Sequence, residues 1–171
     1  MALLGIDVGT GGSRAILINE QGKVLASATE NHEPFASPKT GWAEQEPEDW
    51  WRASQIAIRS VLKQGALDPD TVTGIGLSGQ MHGAVLLDAS GSVVRPAIIW
   101  CDQRTETQCQ WLTDTIGAAR LIELTSNPAL TGFTLPKLLW VREHEPNEWT
   151  QVKRVLLPKD YVRLRLTGAY A

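Results

Sequence analysis

Residues Gly5–Leu17 read "GIDVGTGGSRAIL", and they place one acid, Asp7, and three glycines, Gly9, Gly11 and Gly12, between two apolar runs. The runs are Leu3–Val8 and Ser13–Asn19, and a third, Val24–Thr29, follows after "EQGK". Runs of about six residues bounded by glycine turns read as strands, here three in series forming a meander. The first two are apolar at successive positions, which predicts a sheet covered on both faces. A strand that ends in an acid and then turns through glycines can bring backbone N–H groups onto an anion with no Cβ in the way. The carboxylate is tolerated there when a divalent cation lies between it and phosphate oxygens. The stretch is neither a Walker A loop nor a GxGxxG fingerprint, because no Gly-Lys-Ser/Thr follows and the turn leads into a strand. A plain hairpin with Asp7 as a turn residue accounts for the same residues.

Working outward, the pattern loosens between Asn31 and Glu46, where Pro34, Pro38 and Gly41 predict a loop. Pro47, with acids beside it, opens a helix whose apolar stripe is Trp50, Ala53, Ala57 and Val61, and Gly65 and Pro69 close it. "TVTGIGLS" (71–78), "GAVLLD" (83–88) and "PAIIW" (96–100) read as strands. Helices are predicted over Thr105–Ile116 and Ala118–Leu124, then in "TLPKLLWVREHEP" and "NEWTQV" (134–152). "RVLLP" (154–158) reads as extended, and "KDYVRLRLTG" (159–168) as a helix closed by Gly168. Strands in series followed by alternating helices and strands predict an α/β sandwich around a mixed sheet.

Composition narrows the function classes. The chain of 171 residues is 43% apolar and 20% charged, as an ordinary soluble globular protein is. A net charge of −3 gives no electrostatic attraction to nucleic acid or to an anionic membrane. Cys101 and Cys109 show no CxxC spacing and no histidine at ligand spacing, so they read as free thiols in a reducing compartment. No signal-peptide pattern and no apolar run of membrane-spanning length is present, which predicts a soluble, cytoplasmic protein. The final "LTGAYA" is neither a solvated tail nor a cap, and predicts that these residues are a piece of a longer chain.

Two further constellations follow strands directly. "LSGQMHG" (Leu77–Gly83) is a polar, sterically open corner in which Gln80 and His82 suit the hydroxyls of a polyol or sugar. A tight loop with an internally satisfied histidine is the other reading. "WCDQR" (Trp100–Arg104) sets an aromatic face, a carboxylate and a guanidinium within five residues, as a carbohydrate wall requires. The same residues also suit a helix cap by Asp102 with Arg104 paired to a nearby acid. Cys101 reads as a small core residue, since no histidine is positioned to activate it.

Taken together, "GIDVGTGGSRAIL", "WAEQEPEDWW", "GIGLSGQMHG", "RPAIIWCDQR" and "LLPKDYVRLRLTG" resemble the N-terminal part of the FGGY family of carbohydrate kinases, and within it the xylulokinases. The resemblance runs in order from Leu3 to Tyr170 and is most specific at "GQMHG". It implies a ribonuclease-H-like α/β fold of the actin/Hsp70/hexokinase superfamily, with a mixed β-sheet and flanking helices, and makes residues 1–171 the N-terminal domain. It also implies ATP and Mg²⁺ as cofactors and a ketose, D-xylulose, as substrate, with no nucleic-acid or membrane partner; a homodimer is compatible with it. On this resemblance Asp7 organises Mg²⁺ through water, Gly9, Thr10, Gly11 and Gly12 line the phosphates, and Arg14 lies near them. Gln80, Met81, His82 and Gly83 bind the ketose, and Trp100, Asp102 and Arg104 complete the sugar wall. The family's general base, an aspartate, and its adenine loops belong to a later segment that nothing here matches, so these residues alone are expected to be inactive. Another FGGY kinase acting on a different ketose or polyol, and a non-catalytic sugar-binding module, remain open at this stage.

Overall fold

The computed structural model describes residues 1–170, which fall into two compact units. The first unit comprises Met1–Pro34, Glu46–Gln80 and the described residues from Pro158 onward; the second comprises Phe35–Gln45 and Met81–Leu157.

The first unit is a four-stranded mixed sheet. Strands β1 (Ala2–Val8), β2 (Gly12–Asn19) and β3 (Val24–Asn31) form the expected antiparallel meander, with Asp7 opposite Arg14 and Gly5 opposite Ile16. The loop region after β3 contributes a two-residue strand, β4 (Glu44–Gln45), to the second unit. Helix α1 (Pro47–Gln64) then crosses over the sheet. Its buried residues Trp50, Ala53, Ser54, Ala57 and Val61 recur every three or four positions, as an apolar stripe on a helix must. A single tight turn, Pro69–Thr71, leads into β5 (Val72–Gly79), which pairs parallel to β1 and gives the order β3-β2-β1-β5.

The covered face of this sheet carries Leu4, Ile6, Val8, Ala15 and Leu17, all buried. Two-sided cover is not observed among the described residues. Leu3, Asp7 and Arg14 are exposed on the opposite face, because α1 and the final helix lie against each other and both pack on the face that α1 covers.

The second unit is built from short pieces. Strand β6 (Val85–Leu87) follows the Met81–Gly83 corner, and β7 (Ala97–Ile98) pairs antiparallel with β4. The extended run predicted over 96–100 is cut to two residues because the chain turns at once, Asp102 N–H donating to the Ile99 carbonyl at 3.1 Å. Helices α2 (Glu106–Ile116), α3 (Ala118–Thr125), α4 (Thr134–His144) and α5 (Pro146–Gln151) follow as expected, and β8 (Arg154–Leu156) pairs with β6. The core here is Leu86, Ile98, Trp140 and Val141, with Trp42 edge-on to Trp140 at 5.2 Å.

Back in the first unit, α6 (Pro158–Thr167) closes the described chain. Its buried Tyr161 donates to Glu48 Oε1 of α1 at 2.5 Å, and Arg165 pairs with the same carboxylate. Among the described residues no helix is long and apolar enough to cross a membrane. Both cysteines are free, and burial raises the pKa of each thiol.

Trp50 is fully buried where α1 meets the sheet. Trp50→Ala is expected to destabilise the protein by about 3–5 kcal/mol, read as a lower urea midpoint at unchanged slope.

Candidate functional site

In the first unit, Asp7 stands exposed near the carboxyl end of β1, on the uncovered face. Arg14 is its cross-strand partner on β2, and Ser78 lies beside it on β5. Gly5, Asp7, Arg14, Ile16, Gly76 and Ser78 line a shallow depression of about 320 Å³. A Cβ at Gly76 would meet nothing within 4 Å, so that part of the floor is bare backbone. Arg14 is held along the sheet by Ser27, whose hydroxyl accepts from Nε and Nη2 at 3.3 and 3.1 Å.

The Gly9–Gly12 turn is closed by Gly9 N–H donating to the Gly12 carbonyl at 3.0 Å. None of its glycines has a positive φ, so backbone handedness is not why glycine stands there. At Gly12 the reason is close approach, since a Cβ would lie 2.7 Å from the Glu30 carbonyl oxygen. At Gly11 a Cβ would project into open space, and its absence leaves the turn bare on its outer side. Gln80 leaves the end of β5 beside this turn, its N–H donating to the Val8 carbonyl at 2.8 Å and its Nε2 to the Gly9 carbonyl at 3.3 Å.

His32, for which the sequence offers no partner, braces the same turn from below. Its backbone N–H donates to the Gly11 carbonyl at 3.0 Å, and its Nδ1 lies 3.3 Å from the Thr10 carbonyl. A carbonyl can only accept, so Nδ1 carries the proton and Nε2 accepts from the Ser13 hydroxyl at 2.9 Å. Ser13 in turn accepts from Ser54 of α1 at 3.1 Å.

In the second unit, Met81 is 65% exposed and Gly83 is buried. His82 lies between them with φ of 57°, in the left-handed region, and its ring rests on Phe133 at 4.4 Å. Burial, and secondarily the charge of Lys137, lower its pKa and favour the neutral imidazole. His82, Leu112, Leu121, Phe133, Leu135 and Pro136 line a mostly apolar cavity of about 220 Å³. Trp100 is 47% exposed and presents an aromatic surface.

Asp102 and Arg104 are turned inward. Asp102 is fully buried and accepts from Ala43 N–H at 2.6 Å and from the Arg104 guanidinium at 2.8–3.0 Å. Arg104 also pairs with Glu44 at 2.7 Å and lies 3.8 Å above the Trp42 ring. Thr105, not Asp102, holds the N-cap position of α2, and its side chain makes no capping hydrogen bond. The charged groups of "WCDQR" therefore hold each other and the β4 strand, while Trp100 remains the open face of the motif.

The model of the N-terminal domain of the FGGY family of carbohydrate kinases matches residues 2–171. The chain belongs to the FGGY family. It is 50% identical over 168 residues to the xylulose kinase of Klebsiella pneumoniae and 48% identical to that of Escherichia coli K12, covering 98% of this chain and 34% of each relative. The crystal structure of a xyloylose kinase from Brucella ovis matches with a TM-score of 0.94 at 40% identity, over 99% of this chain and 35% of that one. The chain thus spans about a third of the length of the curated relatives it matches. Its fold is that of the actin/Hsp70/hexokinase superfamily to which FGGY kinases belong, as the family resemblance implies.

Sequence reasoning missed His32, Glu44 and Lys137. Lys137 had a signal: a lone cation among the buried positions of an otherwise apolar helix face, Pro136, Trp140 and Val141. His32 and Glu44 sit in irregular sequence with no period to reveal them.

Burial lowers the pKa of His32, against the opposing pull of the Thr10 carbonyl and Asp49. The unfolded chain takes up this proton near the ordinary value of 6.5 while the folded chain resists it, so stability present above that pH is lost as pH falls below it. Thermal scans between about pH 7.5 and 5.5 should show this decline. His32→Gln should reduce it to the part owed to His82 and start from a fold weakened by about 1 kcal/mol.

Proposed function

We propose that the protein carrying this chain is an ATP-dependent ketose kinase that phosphorylates D-xylulose to D-xylulose 5-phosphate, with this chain supplying the phosphate turn and the sugar corner. The observation that carries the reading is the exposed Asp7 beside a glycine-rich turn left open at Gly11, at the carboxyl ends of two parallel strands. The identity of about one half to xylulose kinases supports the choice of ketose.

The donor set fits magnesium. No cluster of three or more His, Cys, Asp or Glu side chains that could cage a metal is present among the described residues. A lone carboxylate suits an ion that keeps several waters and leans on substrate phosphates. Asp7 would hold it, and when bound it offsets the charge on the transferring phosphoryl oxygens. Gly9, Thr10, Gly11 and Gly12 offer backbone to the phosphates, and Arg14 adds positive charge on the same sheet face as Asp7. Gln80, Met81, His82 and Gly83 engage the ketose, with neutral His82 able both to accept and to donate. Trp100 supplies the apolar face for sugar C–H groups, and Asp102 with Arg104 sets the turn that presents it. The general base and the adenine site are assigned to other segments of the protein, in keeping with the third of its relatives' length that this chain spans. The 171 residues alone are therefore expected to show no turnover. Cytoplasmic location belongs to the same reading.

Two measurements test it. A panel of ketoses and polyols offered with MgATP should give fastest turnover on D-xylulose; a different preferred sugar would move the reading within the family, and binding without turnover would make the protein a sugar-binding module. Asp7→Ala in the whole protein should lower kcat by on the order of a thousandfold while the D-xylulose Kd, by calorimetry, changes only about twofold. Near-normal kcat in that variant would remove Asp7 from the mechanism.

A further inference from the structure

We propose that Lys137 is a positioning residue for the sugar, its buried ammonium acting with the Thr134 hydroxyl to pin the His82 carbonyl and hold the Met81–Gly83 corner in its binding shape. The inference rests on the ketose-kinase reading of that corner.

His82 holds a left-handed backbone although it carries a Cβ. Such a conformation costs about 1–3 kcal/mol and persists only where neighbours over-determine it. Two donors converge on its carbonyl: Lys137 Nζ at 2.7 Å and Thr134 Oγ1 at 3.2 Å. The ring of the same residue rests on Phe133. One short segment at the start of α4 therefore fixes both the backbone and the side chain of His82.

Lys137 reaches further than that carbonyl. Its ammonium also donates to the Gly132 carbonyl at 2.7 Å. Gly132 packs so tightly on Trp100 that a Cβ there would lie 2.8 Å from the Trp100 carbonyl oxygen. A single cation thus ties the His82 backbone to the segment against which the Trp100 backbone rests. The side chain has no exposed surface, so it does not touch the sugar and acts through these two carbonyls.

A buried ammonium is a costly way to fill a helix face, since an apolar side chain would pack there without desolvating a charge. An apolar side chain would take this donor from the Gly132 carbonyl and leave the His82 carbonyl with Thr134 alone. Burial lowers the Lys137 pKa to about 8, with Asp102 and Cys101 opposing and Arg104 assisting, so the ammonium is charged at neutral pH and titrates just above it.

The test uses the whole protein and two variants, Lys137→Met and Thr134→Val. The KM for D-xylulose should rise about tenfold or more in the first and about two- to fivefold in the second, with the KM for MgATP held within about twofold. Hydrogen exchange at the Met81–Gly83 amides should quicken in both variants while α1 stays unchanged. In the parent the D-xylulose KM should climb above about pH 8, and this climb should vanish in Lys137→Met. An unchanged D-xylulose KM and unchanged corner exchange in Thr134→Val, with Lys137→Met either failing to fold or raising both KM values equally, would reduce Lys137 to a packing role. If the parent turns over no sugar, the kinase reading falls on its own and the exchange measurement alone decides whether the clamp exists.

Discussion

The parallel pairing of β1 with β5 is the constraint from which the first unit follows. Parallel neighbours cannot be joined by a tight turn, so the chain must leave the sheet and return across one face. Helix α1 makes that crossing and buries Trp50, Ala53, Ala57 and Val61 as it does. The pairing runs in register from Leu3 beside Gly74 to Val8 beside Gly79, which brings the two strand ends together. The approach is tight enough that a Cβ on Gly79 would sit 2.9 Å from the Val8 carbonyl oxygen. The glycine turn after β1 and Gln80 after β5 therefore start from adjacent points, whatever their sequences. Slipping β1 by one residue would carry Asp7 to the covered face and Val8 to the open one, so the apolar alternation Leu4, Ile6, Val8 also places the carboxylate.

The second unit lacks a sheet of comparable size and relies on buried charge. Glu44, on a strand of two residues, meets Arg104 at 2.7 Å and Arg95 at 2.5 Å. Arg104 reaches back to Asp102 on its own turn and is flanked by the rings of Trp42 and Trp140, while Arg95 continues to Glu145 at 2.7 Å. Burial raises the pKa of Glu145 even though Arg95 opposes the shift. Such pairs add little net stability over an apolar core, yet losing one member strands the others and is costly. Their value here is geometric, because a two-residue strand is too short to fix its own register.

This division explains what could be read in advance. The meander, α1, β5 and all the later helices announce themselves through period and punctuation, and they appear within a residue or two of their expected ends. The glycine turn after β1 and the "GQMHG" corner stood out in the sequence because glycine, acid and histidine cluster at strand ends, and the phosphate and ketose roles given to them belong to the proposal. Illegible were the contacts joining residues far apart in the chain. Arg104 has an acid two residues away in the sequence, but the Glu44 carboxylate, 60 positions earlier, is visible only in three dimensions. His32 could not be placed from sequence because its partners are two backbone carbonyls and a serine, none of which carries a sequence signature. The expectation of a sheet covered on both faces failed for a related reason: apolar runs report that a strand is inward-looking, not which layers are present to cover it.

The glycine turn of the first unit and the His82 corner of the second solve opposite problems with opposite backbones. At Gly9–Gly12 none of the glycines has a positive φ, so their contribution is the absence of side chains, at close approach in Gly12 and toward open space in Gly11. At position 82 the backbone is left-handed, where glycine would be the easy choice, and the chain keeps a histidine instead. A phosphate is best met by backbone donors at close range, whereas a sugar hydroxyl is discriminated by a side chain that accepts and donates. On that reading glycine at 82 would relieve the strain and lose the recognition. The strain is retained and offset from behind, and the buried cation of α4 is what the offset looks like.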